Sequence, residues 1–150
     1  MPPKTPLPSI DHIGQVVRDL DTSVALYQDR FGLELLGDPS TVTPDSATVR
    51  GASTAFSFRI AFLSLGGTKL ELLQPLDDQP SPYNLFLREH GEGLHHLAFF
   101  VPSIDDQLEP LHADHEHLTL ECDALLAGGR FRYVYTDNMT SGGLLELMQR

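Results

Sequence analysis

The sequence predicts a mixed α+β fold built from two tandem copies of one βαβββ module. This prediction rests on three pairs of segments that match each other: 66–74 with 142–149, 11–17 with 95–101, and 58–62 with 131–135. The first pair aligns at an offset of 75 residues and the second at an offset of 84. Repeats of this length indicate a duplicated supersecondary unit, and two copies favour a pseudo-twofold arrangement over a solenoid.

The first copy opens with an apolar strand over residues 10–17. Polar residues at 19–23 are typical of a helix start, and Gly32 ends the helix that they begin. Three further strands are predicted, at 33–36, 56–65 and 69–74, the last two joined as a hairpin at two glycines. Residues 37–53 are polar without a clear period, which indicates a mobile loop or a ragged strand that could cover a site.

A linker over residues 75–82 and a short helix over 83–90 lead into the second copy. There the order restarts, with a strand at 94–101, a helix at 104–113 and strands at 117–121, 130–137 and 143–149. This order predicts two four-stranded sheets with helices on their outer faces and a hollow between them. The predicted organisation is a Pro-rich arm (1–9) and a single domain (10–150), with module one at about 10–75, the linker and helix at 76–93, and module two at about 94–150.

Composition narrows the classes of partner. The chain has 150 residues, of which 41% are hydrophobic, and this suffices for one sizeable core. Its formal charge of −11 argues against nucleic acid or an anionic membrane as a partner, because both bind basic surfaces. Cys122 is the single cysteine, no apolar stretch has the length of a membrane span, and the N-terminus lacks the apolar region of a signal peptide. We therefore expect a cytoplasmic protein.

Strand parity places two histidines and two glutamates on the concave side. On the last strand of each copy the leucines share a face suited to packing under a helix, so Glu71 and Glu146 point to the other face. On the opening strands, His12 and His96 point away from the apolar face, each with a small residue two positions later. A pseudo-twofold axis between the copies would bring all four side chains together.

Two imidazoles and two carboxylates form a suitable ligand set for a divalent ion such as Zn, Ni, Co, Mn or Fe. With two cis positions left open on an octahedral ion, a substrate could bind as a chelate. Such a site can polarise a carbonyl and stabilise an enolate, and a carboxylate that leaves the metal could take the neighbouring proton. A lone histidine or glutamate on a strand is usually structural, but the duplicated placement favours a metal site.

The motifs around these residues resemble those of the vicinal oxygen chelate superfamily, which includes glyoxalases, bleomycin resistance proteins and dioxygenases. They are DHIG at 11–14, GGTKLELL at 66–73, GLHHLAF at 93–99 and GGLLEL at 142–147. The resemblance is closest to the methylmalonyl-CoA epimerase branch. It implies paired βαβββ modules with a concave metal-binding cleft, a homodimer, and His12, Glu71, His96 and Glu146 as the metal ligands. His95 is not assigned as a ligand, because strand parity places it on the opposite face.

The sequence departs from the epimerase branch in two places. Epimerases of this family usually carry a glutamate shortly before the third strand of the first copy, where it acts as a base opposed to the last-strand glutamate. The aligned residue here is Ala55. The His-Pro-Lys run that often precedes the final strand in that branch is Thr-Asp-Asn here, at 136–138.

The leading functional hypothesis is a divalent-metal-dependent epimerase or isomerase that moves a proton next to the carbonyl of a small oxygenated substrate. Glu146 and Glu71 are its candidate catalytic residues, as ligands that double as acid or base. A glyoxalase-like lyase is one alternative, and an Fe(II) dioxygenase is another, although such dioxygenases normally use two histidines and one carboxylate. A protein that binds an antibiotic or other small molecule without catalysis, and a purely structural dimer module, also stay open.

Three further sets of residues allow more than one interpretation. Arg59 and Arg132 form a repeated pair that could clamp a substrate carboxylate, but parity alone leaves their direction undecided. Tyr133 and Tyr135 are expected to pack in the core, with hydroxyls near an oxyanion as the alternative. The histidine-rich run at 112–117 is interpreted as a solvated turn rather than a metal-binding tract.

Overall fold

The computed structural model describes residues 5–114, 119–137 and 143–150, and within these ranges ten strands form one mixed sheet that curls into a half-barrel. The strands are β1 (His12–Val16), β2 (Leu35–Val42), β3 (Ser46–Val49), β4 (Ala52–Ser53), β5 (Phe58–Ser64), β6 (Lys69–Pro75), β7 (Gly93–Phe100), β8 (Leu120–Leu126), β9 (Phe131–Asp137) and β10 (Leu144–Gln149). The helices are α1 (Leu20–Phe31), α2 (Pro82–His90) and α3 (Ile104–Asp114). The mixed α+β fold with repeated modules is thereby confirmed.

The strand order is β2-β5-β6-β1-β7-β10-β9-β8-β3-β4. Its first four strands come from the first copy, and the next four are the equivalent strands of the second copy in reverse order. β1 and β7 pair antiparallel at the centre, with Ile13 opposite Leu97. The two four-stranded sheets expected from the sequence are therefore two halves of one continuous sheet, and the pseudo-twofold axis passes between β1 and β7.

Helices α1 and α3 cover equivalent parts of the convex face. Leu20 and Val24 of α1 pack in one buried cluster with Leu70 and Leu72 of β6, and α3 packs similarly on the second copy. A glutamine at the end of each copy's last strand supports the start of the helix. Gln74 accepts a hydrogen bond from the Leu20 backbone N–H at 2.9 Å, and Gln149 accepts one from the Ile104 N–H at 2.8 Å. The duplication therefore extends to the helix caps.

The repeated arginines lie on this convex side. Arg59 donates two hydrogen bonds to Asp21 in α1, and Arg132 pairs with Asp105 at the start of α3 at 2.9 Å and with Asp123 of β8 at 2.8 Å. Because both guanidiniums are paired to the outer helices, the inward-facing alternative is wrong. They fasten the helices to the sheet and do not reach the concave side.

Aromatic side chains fill much of the concave side. Tyr83 projects from α2, whose first turn is capped by the Ser81 hydroxyl, which accepts a hydrogen bond from the Asn84 N–H. Tyr83 packs against Phe58 and Tyr135, with ring centroids 4.6 and 6.1 Å away. The short helix between the copies therefore closes one end of the hollow.

The polar segment 37–53 links the two copies by hydrogen bonding. β2 pairs with β5 of the first copy, with a register shift between Leu36 and Ser40, whereas β3 pairs with β8 of the second copy. Residues 43–45, here termed the crossing segment, span the gap between these edges. The Asp45 N–H donates to the Leu125 carbonyl, and its carboxylate accepts from the Gly128 N–H at 2.7 Å. The ragged-strand interpretation holds for β2, and the segment as a whole spans the open side of the half-barrel.

Part of the second copy differs from expectation or falls outside the described ranges. The strand predicted at 117–121 is found at Leu120–Leu126. His115 and His117 lie outside the described residues, and His112 lies in the last turn of α3. None of the helices in the described part of the chain is long and apolar enough to cross a membrane.

Candidate metal centre

Four adjacent strands at the centre of the sheet carry the predicted cluster. In the order β6-β1-β7-β10 they contribute Glu71, His12, His96 and Glu146. The register alternates them, because Gly14 of β1 lies between Glu71 and His96, whereas Ala98 of β7 lies between His12 and Glu146. Each long side chain thus has a small residue as one of its two cross-strand neighbours, and all four converge on the twofold axis.

The ligand-type atoms of these residues lie within 4.8 Å of one another, and all four residues are buried. His12 Nε2 lies 3.0 Å from Glu71 Oε2 and 3.1 Å from Glu146 Oε2. His96 Nε2 lies 3.4 and 3.1 Å from the same two oxygens, and 3.1 Å from His12 Nε2. The sequence prediction that these side chains share the concave side therefore agrees with their positions, while metal binding by them stays a prediction.

The residues of this cluster fit a divalent cation. His12 Nε2 and His96 Nε2 lie 3.1 Å apart, so either a proton on one nitrogen bonds to the other or a cation bound by both offsets the repulsion of their lone pairs. Glu146 Oε2 is buried, and although both Nε2 atoms lie 3.1 Å away, neither meets it with the geometry of a full hydrogen bond, so the oxygen is poorly satisfied unless another group binds it. Imidazole nitrogens with carboxylate oxygens suit Zn, Ni, Co, Mn and Fe. The cluster could therefore hold such an ion.

Gly14 makes room for His96. A Cβ atom placed on Gly14 would lie 2.0 Å from His96 Cε1 and 2.4 Å from both ring nitrogens. Real Cβ atoms do not approach other heavy atoms this closely, so any side chain at this position would displace the imidazole. The small residue that parity placed beside the histidine is therefore a steric requirement of the cluster.

A second layer of groups orients both imidazoles. Asp11 Oδ2 lies 2.8 Å from His12 Nδ1, and Lys69 Nζ lies 3.6 Å from the same carboxylate. His96 Nδ1 lies 2.9 Å from His95 Nδ1. Such partners fix the tautomer and direct Nε2 toward a metal. Sequence reasoning assigned no role to Asp11, although its position directly before His12 was the available signal.

His95 does not lie where strand parity placed it. Gly14 pairs with His96 and Gln15 pairs with Leu94, so His95 has no counterpart on β1 and forms a β-bulge. The bulge turns the His95 ring to the concave side, where its centroid is 5.0 Å from that of Tyr135. The parity argument for His95 is therefore wrong. Its ring nevertheless contacts the cluster from behind His96 and is not among the four converging residues.

The charges in this cluster shift one another's pKa values. Burial lowers the pKa of His12, but hydrogen bonds and charge interactions with Glu146 and Glu71 outweigh burial and raise the pKa to about 11. Burial raises the pKa of Glu71, and the two imidazoles outweigh it and lower the pKa to about 2. Burial also lowers the pKa of His95 well below its usual value. At neutral pH without metal, the cluster is thus an ion pair of protonated His12 with ionised Glu71.

A cavity of about 110 Å³ adjoins the cluster. Its lining residues are Val42, Phe58, Ile60, Glu71, Leu73, Tyr83, Leu126, Phe131, Tyr133, Tyr135 and Glu146. Both candidate glutamates therefore face the same space. Burial raises the pKa of Tyr133 well above its usual value, so its hydroxyl is protonated at neutral pH. Tyr83, placed by the short helix, also forms part of the cavity wall, and no pattern in the sequence indicates this role.

A half-barrel of paired βαβββ modules with a His and Glu cluster on its twofold axis defines a glyoxalase-like fold. A model of the glyoxalase/bleomycin resistance protein/dioxygenase superfamily matches residues 11–130. The chain belongs to this superfamily.

The chain is similar to an uncharacterised bacterial protein and to methylmalonyl-CoA epimerases. The chain is 32% identical to the uncharacterised protein YqjC of Bacillus subtilis over 140 residues, which cover 93% of this chain and 91% of that protein. It is 31% identical to the mitochondrial methylmalonyl-CoA epimerase of Bos taurus over 97 residues, 64% of this chain and 48% of the bovine protein. A Streptomyces coelicolor methylmalonyl-CoA epimerase in complex with 2-nitronate-propionyl-CoA is 25% identical, with a TM-score of 0.64 over 96% of this chain and 95% of that chain.

Proposed function

We propose that the protein is a divalent-metal-dependent epimerase that inverts a carbon next to the carbonyl of a small acyl substrate. His12, Glu71, His96 and Glu146 would hold the ion, which when bound supplies Lewis acidity toward the oxygens of the substrate. The epimerase relatives and their shared fold support this proposal. Ligation by these four residues, a homodimer, a cytoplasmic location and the division into arm and domain stay predictions.

The observation that carries the proposal is the pair of glutamates. Inversion requires removal of a proton from one face of the carbon and delivery of a proton to the other. Glu71 and Glu146 come from strands on either side of the central pair and face one cavity together. Because Ala55 stands where related epimerases carry a further glutamate, we assign the two basic positions to these two residues.

The surroundings of the glutamates suit proton transfer. The imidazoles lower the pKa of Glu71 to about 2 and so keep it ionised at neutral pH, the form in which a carboxylate can accept a proton; release of the carboxylate from these imidazoles would raise its basicity. Apolar walls keep bulk water from the reacting carbon, and a water-poor site strengthens charge interactions. In the proposed cycle one carboxylate takes the proton from the carbon, and the other, in its protonated form, returns one to the opposite face. No electrons are gained or lost.

Isotope exchange tests this proposal. Protein freed of metal and reloaded separately with Zn, Ni, Co or Mn is incubated in heavy water with methylmalonyl-CoA or ethylmalonyl-CoA. We expect deuterium at the carbon between the two carbonyl groups, together with loss of configuration. Glu146→Gln and Glu71→Gln are each expected to slow exchange about 100-fold or more, as is typical of lost acid or base catalysis. Glu109→Gln, on the exposed surface of α3, is the matched control.

Two results would contradict the epimerase assignment. Exchange at the background rate with every metal and both substrates would exclude proton transfer on these acyl-CoAs. Equal exchange in wild-type protein and the Glu146→Gln variant would remove the assigned residue from the reaction. Tight retention of either acyl-CoA without exchange would favour the binding-protein alternative, for which the apolar cavity beside the cluster is the supporting feature.

A further inference from the structure

The cavity beside the cluster is small enough to limit the size of the substituent that it can hold. Its volume of about 110 Å³ is somewhat below that of a cavity able to enclose benzene, about 150 Å³. At about 30 Å³ for each water-sized group, it holds roughly four such groups. A methyl group would leave most of this space empty, whereas a small ring or branched chain would fill it.

The walls of the cavity carry no cationic side chain among the described residues. Apart from the two glutamates, the walls are aliphatic and aromatic. Arg59 and Arg132, the repeated cations of the sheet, are paired on the convex side. An unpaired carboxylate moved into such surroundings loses its hydration without compensation, and this opposes its binding. The cavity therefore disfavours a charged substituent.

The wall also contains an unsatisfied hydroxyl. Tyr133 is only 3% exposed, and its hydroxyl has no hydrogen-bond partner among the described residues. The hydroxyls of its neighbours Tyr83 and Tyr135 are 3.0 Å apart and bond to each other. The Cys122 thiol and the Tyr83 hydroxyl lie close enough to the Tyr133 hydroxyl to interact with it, but neither meets it with the geometry of a full hydrogen bond. A buried donor of this kind costs free energy until an acceptor reaches it.

We propose that the substrate carries an uncharged, branched or cyclic substituent of about four or five heavy atoms, which occupies this cavity and offers a hydrogen-bond acceptor to Tyr133. This inference rests on the proposed function, because the substituent is placed by the chelating part of the substrate at the metal. A cavity of this size favours acyl groups whose substituent is larger than a methyl group. It also makes Tyr133 a residue that determines specificity.

Hydroxamates test the proposal by binding, without any need for turnover. A hydroxamate group chelates a divalent ion through two oxygens, and its side chain then points into the neighbouring space. Four probes are compared on nickel-loaded protein by calorimetry. They are acetohydroxamate, cyclopentanecarbohydroxamate, tetrahydrofuran-2-carbohydroxamate and succinate monohydroxamate. The last three carry arms of equal heavy-atom number that differ in polarity and charge.

We expect both ring compounds to bind more tightly than acetohydroxamate, and the ring with oxygen roughly tenfold more tightly than the carbocycle. The charged arm is expected to bind at least tenfold more weakly than either ring. Tyr133→Phe should abolish the difference between the two rings, whereas Tyr27→Phe, which removes a hydroxyl bonded to Gln15, should keep it. Ile60→Phe should fill the cavity and weaken ring binding while acetohydroxamate still binds.

The possible failures are distinguishable. If acetohydroxamate binds and the rings bind no better, the cavity does not receive a substituent and this inference is wrong. If the rings bind better but the ring oxygen has no effect, or Tyr133→Phe leaves its effect unchanged, the assignment of Tyr133 is overturned. If no hydroxamate binds to nickel-loaded protein, the chelating site of the proposed function fails, and the inference that rests on it fails too.

Discussion

At the scale of single residues, Gly14 controls the position of a candidate ligand. We predict that Gly14→Ala lowers bound metal to a small fraction of one ion per chain, because the added Cβ occupies the space of the His96 ring. Elemental analysis of purified protein after incubation with excess nickel measures this. Gly93→Ala is the control, since a Cβ there meets no atom within 4 Å. Equal metal content in the two variants would show that His96 is not a ligand.

Asp11 gives a second prediction at the residue scale. Its carboxylate holds His12 Nδ1 at 2.8 Å, and loss of such a partner typically lowers metal affinity 10- to 100-fold. We therefore expect Asp11→Asn to bind nickel more weakly by about this factor in a competition titration with a coloured chelator. Asp78→Asn removes an exposed carboxylate in the linker and should leave the affinity unchanged. Unaltered affinity in Asp11→Asn would mean that His12 is oriented by other contacts.

The four converging residues were predictable because the duplication marks them twice. One Glu or one His on a strand has no special signal, but the same residue at the same place in both copies, with a small residue beside each His, singles out the set. His95 was not predictable in this way. Parity assumes an unbroken strand, and the bulge depends on how β7 pairs with β1, which no local pattern in the sequence records.

At the scale of elements, the glutamine caps allow a paired prediction. Gln74 and Gln149 each satisfy the first backbone N–H of a helix that covers its own copy. We expect Gln74→Ala and Gln149→Ala each to lower the free energy of unfolding by about 1 kcal/mol, the usual value of such a hydrogen bond. Urea unfolding followed by circular dichroism measures it. Gln28→Ala, on the exposed face of α1, should stay within about 0.5 kcal/mol of wild type.

Element-scale prediction succeeded where the local pattern matched the local structure. The helix α1 has its capping residue Asp19 and its terminal Gly32, and the structure ends the helix there. The strands of 37–53 escaped assignment because their partners lie far away in sequence. β3 alternates between exposed and buried residues, but over only four positions, Ser46–Val49, and its partner β8 belongs to the second copy, so the pattern is too short to be detected from the sequence.

At the scale of the whole molecule, the cluster makes the stability of metal-free protein depend on pH. The pKa of His12 is raised from 6.5 to about 11, so its contribution is complete below pH 6.5 and is lost as the pH rises through 11. The pKa of Glu71 is lowered from 4.5 to about 2, so its contribution is complete above pH 4.5 and is lost as the pH falls through 2. Both contributions are therefore complete between these limits, at about pH 4.5 to 6.5.

The variant His12→Gln tests this pH dependence. In the presence of a chelator, its deficit in unfolding free energy relative to wild type should be largest near pH 6 and should shrink steadily toward pH 11. Chemical denaturation at a series of pH values gives the comparison. A deficit that grows with pH would contradict the assigned shift. A bound ion replaces the proton on His12, so metal uptake at neutral pH should release protons to the buffer.

The merger of the two sheets was the feature of the whole molecule that the sequence did not reveal. Both copies were recognised, yet no pattern in the sequence of either opening strand indicates that β1 and β7 pair with each other. That pairing depends on the association of the two copies, in which Ile13 and Leu97 become neighbours across the axis. The prediction of a hollow between two sheets was close in shape and wrong in connectivity.

The crossing segment has a consequence for any attempt to divide the chain. β3 is encoded in the first copy, but its long pairing is with β8 of the second. A fragment that contains the second copy alone would expose the β8 edge, and an exposed strand edge recruits other chains. The two copies are thus complementary in structure. Fragments produced by cleavage near residue 92 should therefore associate with each other in solution rather than persist as separate stable monomers.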